Sequence, residues 1–147
     1  MIQDDIKVVL EQLSELTHFG FGIFGDGEIM SPEVYQANFN ECQKELLNSP
    51  ESCTRICEWL NHVGKAKSIN GRDSSYGLKH VVEKATGKYC SNGEFICAAI
   101  HMGFKFRRHG PNADFNMSVP DLIRLKKDAE AKQMDRERVA QAVPYDK

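Results

Sequence analysis

The residues of this sequence that come closest to a catalytic motif are Tyr76, Lys79 and His80, because they lie within about one helical turn of each other. A phenol, an amine and an imidazole on one helix face can transfer protons or hold a phosphate, with Cys90 or His101 as further members. No sequence pattern places a nucleophile against a base, and there is no Walker loop, HExxH or GxSxG motif. The sequence therefore favours a non-enzymatic protein without a cofactor, and leaves open whether these three side chains form a site.

The five cysteines allow a second kind of chemistry. Cys53 and Cys57 lie one helical turn apart and can bind a soft metal together with His80 or His101. Zinc sites more often use two closely spaced ligand pairs from turns, whereas these cysteines share helical spacing with Ile56 and other apolar residues. An odd number of cysteines without a CxxC pair also argues against a disulfide framework. We therefore predict thiols packed in the core and no metal site.

Charge is divided along the chain, although the net charge is only -2. Residues 1–60 carry eleven acidic and three basic side chains, whereas residues 61–112 carry three acidic and nine basic ones. A local excess of Lys and Arg suits phosphate binding, and an acidic segment can face a basic protein. A solvated surface whose charges segregate without a partner is the alternative. The predicted nucleic-acid contacts are Lys65, Lys67, Arg72, Lys79, Lys88, Asn92, Lys105, Arg107 and Arg108.

Helical patterns dominate the acidic part of the chain. Apolar residues recur at helical spacing over residues 4–16. Ser31 and Ser49 are each followed by Pro and Glu, which predicts the start of a second and a third helix. Between the first two helices, glycines alternate with large apolar residues, and Gly25-Asp26-Gly27 predicts the turn of a short two-stranded hairpin.

The basic part of the chain predicts two helices and a hairpin. Residues 65–73 are polar and rich in turn formers, which predicts an exposed loop. Ser74 or Ser75 can cap the next helix, and Ser91 with Glu94 has the capping-box spacing that begins the one after it. Over residues 104–119, apolar and polar residues alternate on both sides of a turn sequence, which predicts a β-hairpin with its cations outward. This order is typical of a winged helix-turn-helix, with the hairpin as the wing.

The elements together predict an α+β fold that is mainly helical. We expect one compact domain over residues 1–127, with an acidic helical part (1–64) and a basic part (65–119) that holds the winged helix-turn-helix-like unit and one or two short β-hairpins. Residues 128–147 are predicted to form a charged C-terminal helix or tail that frays. No apolar run is long enough to cross a membrane and no secretory pattern begins the chain, which predicts a cytoplasmic protein.

Roughly the middle third of the chain resembles a pattern found in small, uncharacterised proteins of bacterial plasmids, phages and related mobile elements. The resemblance rests on Ser75-Tyr76-Gly77-Leu78-Lys79-His80, Tyr89, Ser91-Asn92-Gly93, Phe95-Ile96, Ala98-Ala99 and Gly103-Phe104. It implies a bacterial or phage origin and no particular activity, and it assigns no catalytic residue.

These patterns predict a small DNA-binding protein of a phage or mobile element, in which the basic loop and the wing contact the phosphate backbone. The helix over residues 92–102 would approach a groove, but it lacks the Arg, Lys and Gln side chains that usually read bases. Non-specific binding, or use of the helix over residues 74–84, fits better. The alternative is a protein-binding accessory, such as an inhibitor of a host defence system, whose acidic half contacts a basic partner. The oligomeric state stays open.

Overall fold

The computed structural model describes residues 1–23 and 30–142 of the 147-residue chain. The elements in this part are α1 (Gln3–Gln12), β1 (Leu16–Thr17), β2 (Gly20–Phe21), α2 (Pro32–Leu47), α3 (Pro50–Leu60), β3 (Lys65–Ser74), α4 (Ser75–Thr86), α5 (Asn92–His101), β4 (Phe106–His109), β5 (Asn112–Met117) and α6 (Val119–Ala142). Strands β1 and β2 form an antiparallel hairpin, and β3, β5 and β4 form an antiparallel sheet in that order. The predicted α+β, mainly helical fold is confirmed. No helix in the described ranges is both long and apolar enough to cross a membrane.

Helix α5 is the centre of the hydrophobic core. Every residue from Asn92 to Ala99 is buried, and α1, α3, α4 and the N-terminal hairpin pack around the helix. The ring of Phe95 lies edge-on to Trp59 of α3 and to Phe115 of β5, with centroid distances of 6.3 and 6.0 Å. This helix therefore joins the acidic and basic parts of the chain in one core.

Side-chain caps begin two of the predicted helices. The capping box of α5 is present: Ser91 Oγ accepts from the Glu94 amide at 3.1 Å, and Glu94 Oε1 accepts from the Ser91 amide at 2.6 Å. Ser31 Oγ accepts from the Val34 amide at 3.3 Å and caps α2. Ser49 instead donates its hydroxyl to the carbonyl of Leu46 at 2.6 Å. Because α2 and α3 are separated by only two residues, this serine satisfies the end of one helix and does not cap the next.

The prediction of an exposed loop over residues 65–73 is wrong, because the segment forms strand β3 at an edge of the sheet. The turn-type residues occur where its pairing with β5 is irregular, since the register shifts on both sides of Asn70. There the Asn70 side-chain amide donates to the carbonyl of Met117 at 3.0 Å. A side chain thus contributes to the pairing of β3 with β5, and the polar sequence is compatible with an irregular edge strand.

A short hairpin, formed by β1 and β2, follows α1. Strand β1 pairs with β2 around His18 and Phe19, so α1 ends at Gln12. Thr17 closes the turn by donating its hydroxyl to the carbonyl of Gly22 at 2.6 Å. The predicted turn at Gly25-Asp26-Gly27 lies outside the described residues.

Helix α6 continues without a break past residue 127, where we predicted the domain boundary, and it packs against α4. Ala129 is fully buried, Glu130 accepts from Lys84 Nζ at 2.5 Å, and Arg136 donates to the carbonyl of Lys84. The helix is therefore attached to the domain on one side through several turns.

Candidate nucleic-acid interface

Alternation along β5 defines the outer face of the three-stranded sheet. Phe115 and Met117 belong to the core, so Asp114 and Asn116 point to the opposite side of the sheet. Arg107 lies directly opposite Asp114 in the register and shares its face. Lys105 precedes Arg107 by two residues and follows the same direction. The outer face therefore carries two cations beside two buried polar side chains.

Asn116 brings the two edges of the sheet together at one end. Its Nδ2 donates to the carbonyl of Ala66 at 2.9 Å, and its Oδ1 accepts from the amide of Lys105 at 2.6 Å. Ala66 lies between Lys65 and Lys67, so these bonds bring three lysines to the same end of the sheet. All three are exposed.

Two arginines lie at the other end of the sheet. Arg107 Nη2 is 3.2 Å from Asp114 Oδ2, and the side chain of Arg107 is still 60% exposed. Its guanidinium lies next to Gly71, where an added Cβ would be 3.5 Å from Nη2. Arg72 follows directly and is exposed. The buried carboxylate of Asp114 therefore orients the guanidinium of Arg107 next to the edge strand that carries Arg72.

The cations of this face differ in how far they are neutralised. Lys67, Arg72 and Lys105 form no side-chain hydrogen bond or ion pair with any residue that the structure describes. Lys65 is opposite the core residue Met117 in the register and lies over the ring of Phe104, with Nζ 5.6 Å from the centroid, so it belongs to the margin of the core and not to the outer face. Cations without an internal counter-charge are those most available to phosphate.

Two other predicted contacts are exposed but lie away from this face. Arg108 forms an ion pair with Glu15 and stacks over Phe21, with its guanidinium carbon 4.9 Å from the ring centroid. Lys88 lies in the turn between α4 and α5. Arg108 therefore links the basic hairpin to the acidic half of the same molecule.

The structure buries the remaining two predicted contacts, Lys79 and Asn92, which are 7% and 6% exposed. Asn92 Nδ2 donates to the carbonyl of Phe19 at 3.0 Å and to Asn112 Oδ1 at 2.8 Å. Neither side chain can reach a nucleic acid in this conformation. The expectation that α5 approaches a groove is wrong for the same reason: α1, α3 and the N-terminal hairpin cover the side that its sequence pattern left polar.

A single carboxylate, that of Glu83, joins the three residues with which the sequence suggested chemistry. Its Oε1 lies 2.8 Å from Lys79 Nζ and 3.1 Å from His80 Nδ1, and the rings of Tyr76 and His80 meet edge to face at 4.8 Å. Glu83 was not among the residues predicted from the sequence, although its spacing from both bases is that of a helical ion pair. The cluster holds Lys79 in place and sets no nucleophile against a base among the described residues.

Tyr76 also belongs to a group of exposed aromatic side chains that was not predicted from the sequence. Phe19, Tyr76 and Tyr89 are 41%, 52% and 63% exposed. They line a cavity of about 180 Å³ whose polar wall includes Asn92 and Asn112. The available sequence signal for this group was Tyr89, an aromatic residue in a short turn between two helices that each end at a glycine. An aromatic side chain in such a turn is expected to be exposed.

Burial keeps several cysteines protonated. It raises the pKa of Cys57 to about 11 and that of Cys90 to about 12. The side-chain hydrogen bond between Cys97 and Cys53, together with burial, raises the pKa of Cys97. Metal ligation requires the thiolate. Within residues 1–23 and 30–142, no three His, Cys, Asp or Glu side chains are placed to hold a metal ion.

The Cys90 thiol is expected to make stability fall at alkaline pH. An unfolded thiol ionises near pH 8.5, whereas the pKa of folded Cys90 is about 12, so the unfolded state binds fewer protons between these values. The free energy of unfolding then decreases as pH rises. Between about pH 8 and about pH 10, the wild type should lose roughly 1–2 kcal/mol more than Cys90→Ala in urea unfolding. Equal losses would contradict a protonated Cys90.

The chain matches no protein-family model, no curated protein and no solved structure. Function is therefore inferred from the outer sheet face and the side chains around it.

Proposed function

We propose that the chain is a non-enzymatic DNA-binding protein of a phage or related mobile element, which contacts the phosphate backbone through the outer sheet face. The observation that carries the proposal is the convergence of β3 and β4 on one face. Arg107 and Lys105 belong to this face, and the exposed Lys67 and Arg72 lie on strand β3 at its edge. Cations placed along one surface bind phosphates by releasing counterions, without regard to base sequence.

The order of elements supports a winged helix-turn-helix organisation. Strand β3, the helix pair α4 and α5, and the hairpin of β4 and β5 follow one another, with the hairpin in the position of the wing. In most proteins of this kind the second helix enters the major groove. Because α5 is buried here, the proposal assigns contact to the sheet and to backbone phosphates, which position a protein without reading sequence.

Removing the unpaired cations is expected to weaken DNA binding and its dependence on salt. The cation-deficient variant combines Lys67→Ala, Arg72→Ala and Lys105→Ala. Its affinity for labelled DNA is measured by fluorescence anisotropy between about 50 and 200 mM salt. Each lost phosphate contact should lower the slope of log affinity against log salt by about 0.7 to 0.9. The side chains are exposed, so folding should be unchanged.

The matched control removes three exposed lysines elsewhere: Lys7→Ala, Lys44→Ala and Lys132→Ala. It changes the net charge by the same amount and should retain most of the affinity and the slope. Wild-type protein that binds neither duplex nor single-stranded DNA at low salt would rule out the proposal. Equal losses in both triple variants would show that net charge, and not this face, causes binding.

Protein binding is the second candidate function, and helix α2 favours it. Each residue from Pro32 to Asn38 is exposed, including Val34 and Tyr35, which are 50% and 43% exposed. Glu33 and Glu41 add negative charge that suits a basic partner. A complex with a partner protein that is lost on Val34→Asp but kept in the cation-deficient variant would support this function over DNA binding.

A further inference from the structure

The outer sheet face continues, at the turn between β4 and β5, into the exposed aromatic surface. His109 pairs with Asn112 across the turn, and its Nδ1 lies 3.9 Å from Asp114 Oδ1. Asn112 also lines the cavity of about 180 Å³ together with Tyr76 and Tyr89. The cations of the sheet and the aromatic rings thus belong to one continuous surface.

One buried ammonium group fixes both tyrosine rings. Lys79 Nζ lies 4.8 Å from the centroid of the Tyr89 ring and 5.7 Å from that of Tyr76, within the range of cation–π attraction. Glu83 Oε1 of α4 and the carbonyl of Cys90 in the turn before α5 accept from the same Nζ at 2.8 and 3.2 Å, so two hydrogen bonds set its position. The rings are held in place and yet are more than half exposed.

A surface that binds single-stranded nucleic acid has two parts: exposed rings held in place, and a strip of cations beside them. Cations follow the backbone, and aromatic side chains stack on bases that are not already stacked in a duplex. Lys88 is exposed next to Tyr89 and adds a cation beyond the rings. A duplex keeps its bases inside the helix and gains nothing from Tyr76 and Tyr89.

We infer that this surface binds single-stranded DNA, with phosphates along Lys67, Lys105 and Arg107 and with bases stacked on Tyr76 and Tyr89. The inference rests on the proposed function and specifies its substrate. A single strand is also the substrate that fits a protein whose α5 helix cannot enter a groove.

The test compares a labelled single-stranded oligonucleotide with the duplex of the same sequence by fluorescence anisotropy. We expect tighter binding of the single strand, and a loss of about tenfold for Tyr76→Ala and for Tyr89→Ala on the single strand only. Tyr89→Phe keeps the ring and should bind like the wild type. Tyr35→Ala removes a comparably exposed tyrosine on α2 and should have no effect.

A tryptophan at position 89 reports stacking directly. The natural Trp59 is 7% exposed in the core, so quenching of Tyr89→Trp emission by the single strand comes from the new indole. Quenching is the expected result. This inference would be overturned if the protein showed no preference for the single strand, no effect of Tyr76→Ala or Tyr89→Ala and no quenching. The proposed function would stay intact in that case if DNA binding were still lost in the cation-deficient variant. Absence of any DNA binding would overturn both.

Discussion

Replacing Gly93 with alanine is expected to destabilise the protein by about 3 kcal/mol or more. Gly93 lies in the first turn of α5, where the N-terminal hairpin crosses the helix, and its amide donates to the carbonyl of His18 at 3.0 Å. An added Cβ would lie 1.8 Å from the carbonyl oxygen of Thr17 and 2.8 Å from that of His18. Both are backbone atoms of the hairpin, so the clash cannot be relieved by a change of rotamer.

The measurement is the urea midpoint of Gly93→Ala, at a denaturant slope equal to that of the wild type. Gly77→Ala is the matched control, because this glycine is also in the first turn of a helix but an added Cβ would meet nothing within 4 Å. Alanine is the better helix former by about 1 kcal/mol, so the control should be as stable as the wild type or more so. A Gly93→Ala midpoint at or above that of the wild type would contradict the packing of the hairpin on α5.

The contrast between these two glycines shows what local sequence patterns can predict. Helix starts were predicted where the signal spans three or four residues, as at Ser31 and at Ser91 with Glu94. The burial of α5 was not predicted, because the atoms that cover it come from distant segments. The hydrogen bond from Asn92 to the carbonyl of Phe19, for example, joins residues 73 positions apart. A spacing of polar residues along one helix contains no such information.

For the candidate interface too, the sequence predicted local properties but not contacts between distant segments. The exposure of the cations near Lys67 and Lys105 follows from local alternation and composition, and the sequence predicted it. Their convergence depends on long-range contacts: the pairing of β3 with β5, where Asn70 donates to the carbonyl of Met117 47 positions away, and the bond from Asn116 to the carbonyl of Ala66, 50 positions away. Turn-type residues at Asn70 and Gly71 concealed the strand, because an irregular edge strand and a loop share the same composition.

Glu94→Ala is expected to cost about 3 kcal/mol of stability, because one carboxylate oxygen holds two helices together. Glu94 is 4% exposed, and its Oε1 accepts from the Ser91 amide at 2.6 Å and from Ser52 Oγ of α3 at 2.9 Å. Alanine would leave the buried amide of Ser91 without an acceptor and remove the contact with α3. Loss of the cap alone would cost only about 1 kcal/mol.

The conservative variants separate the two roles of Glu94 in urea unfolding. Glu94→Gln keeps an acceptor oxygen and loses only the charge, so it should cost about 1 kcal/mol, since charge-assisted hydrogen bonds are roughly twice as strong as neutral ones. Ser52→Ala removes the link to α3 and keeps the cap. If the two helices are joined through this oxygen, Ser52→Ala should destabilise the wild type but have almost no further effect in the Glu94→Ala background. Additive losses in the double variant would mean that α3 and α5 are held together by apolar packing alone, with the carboxylate serving only as a cap.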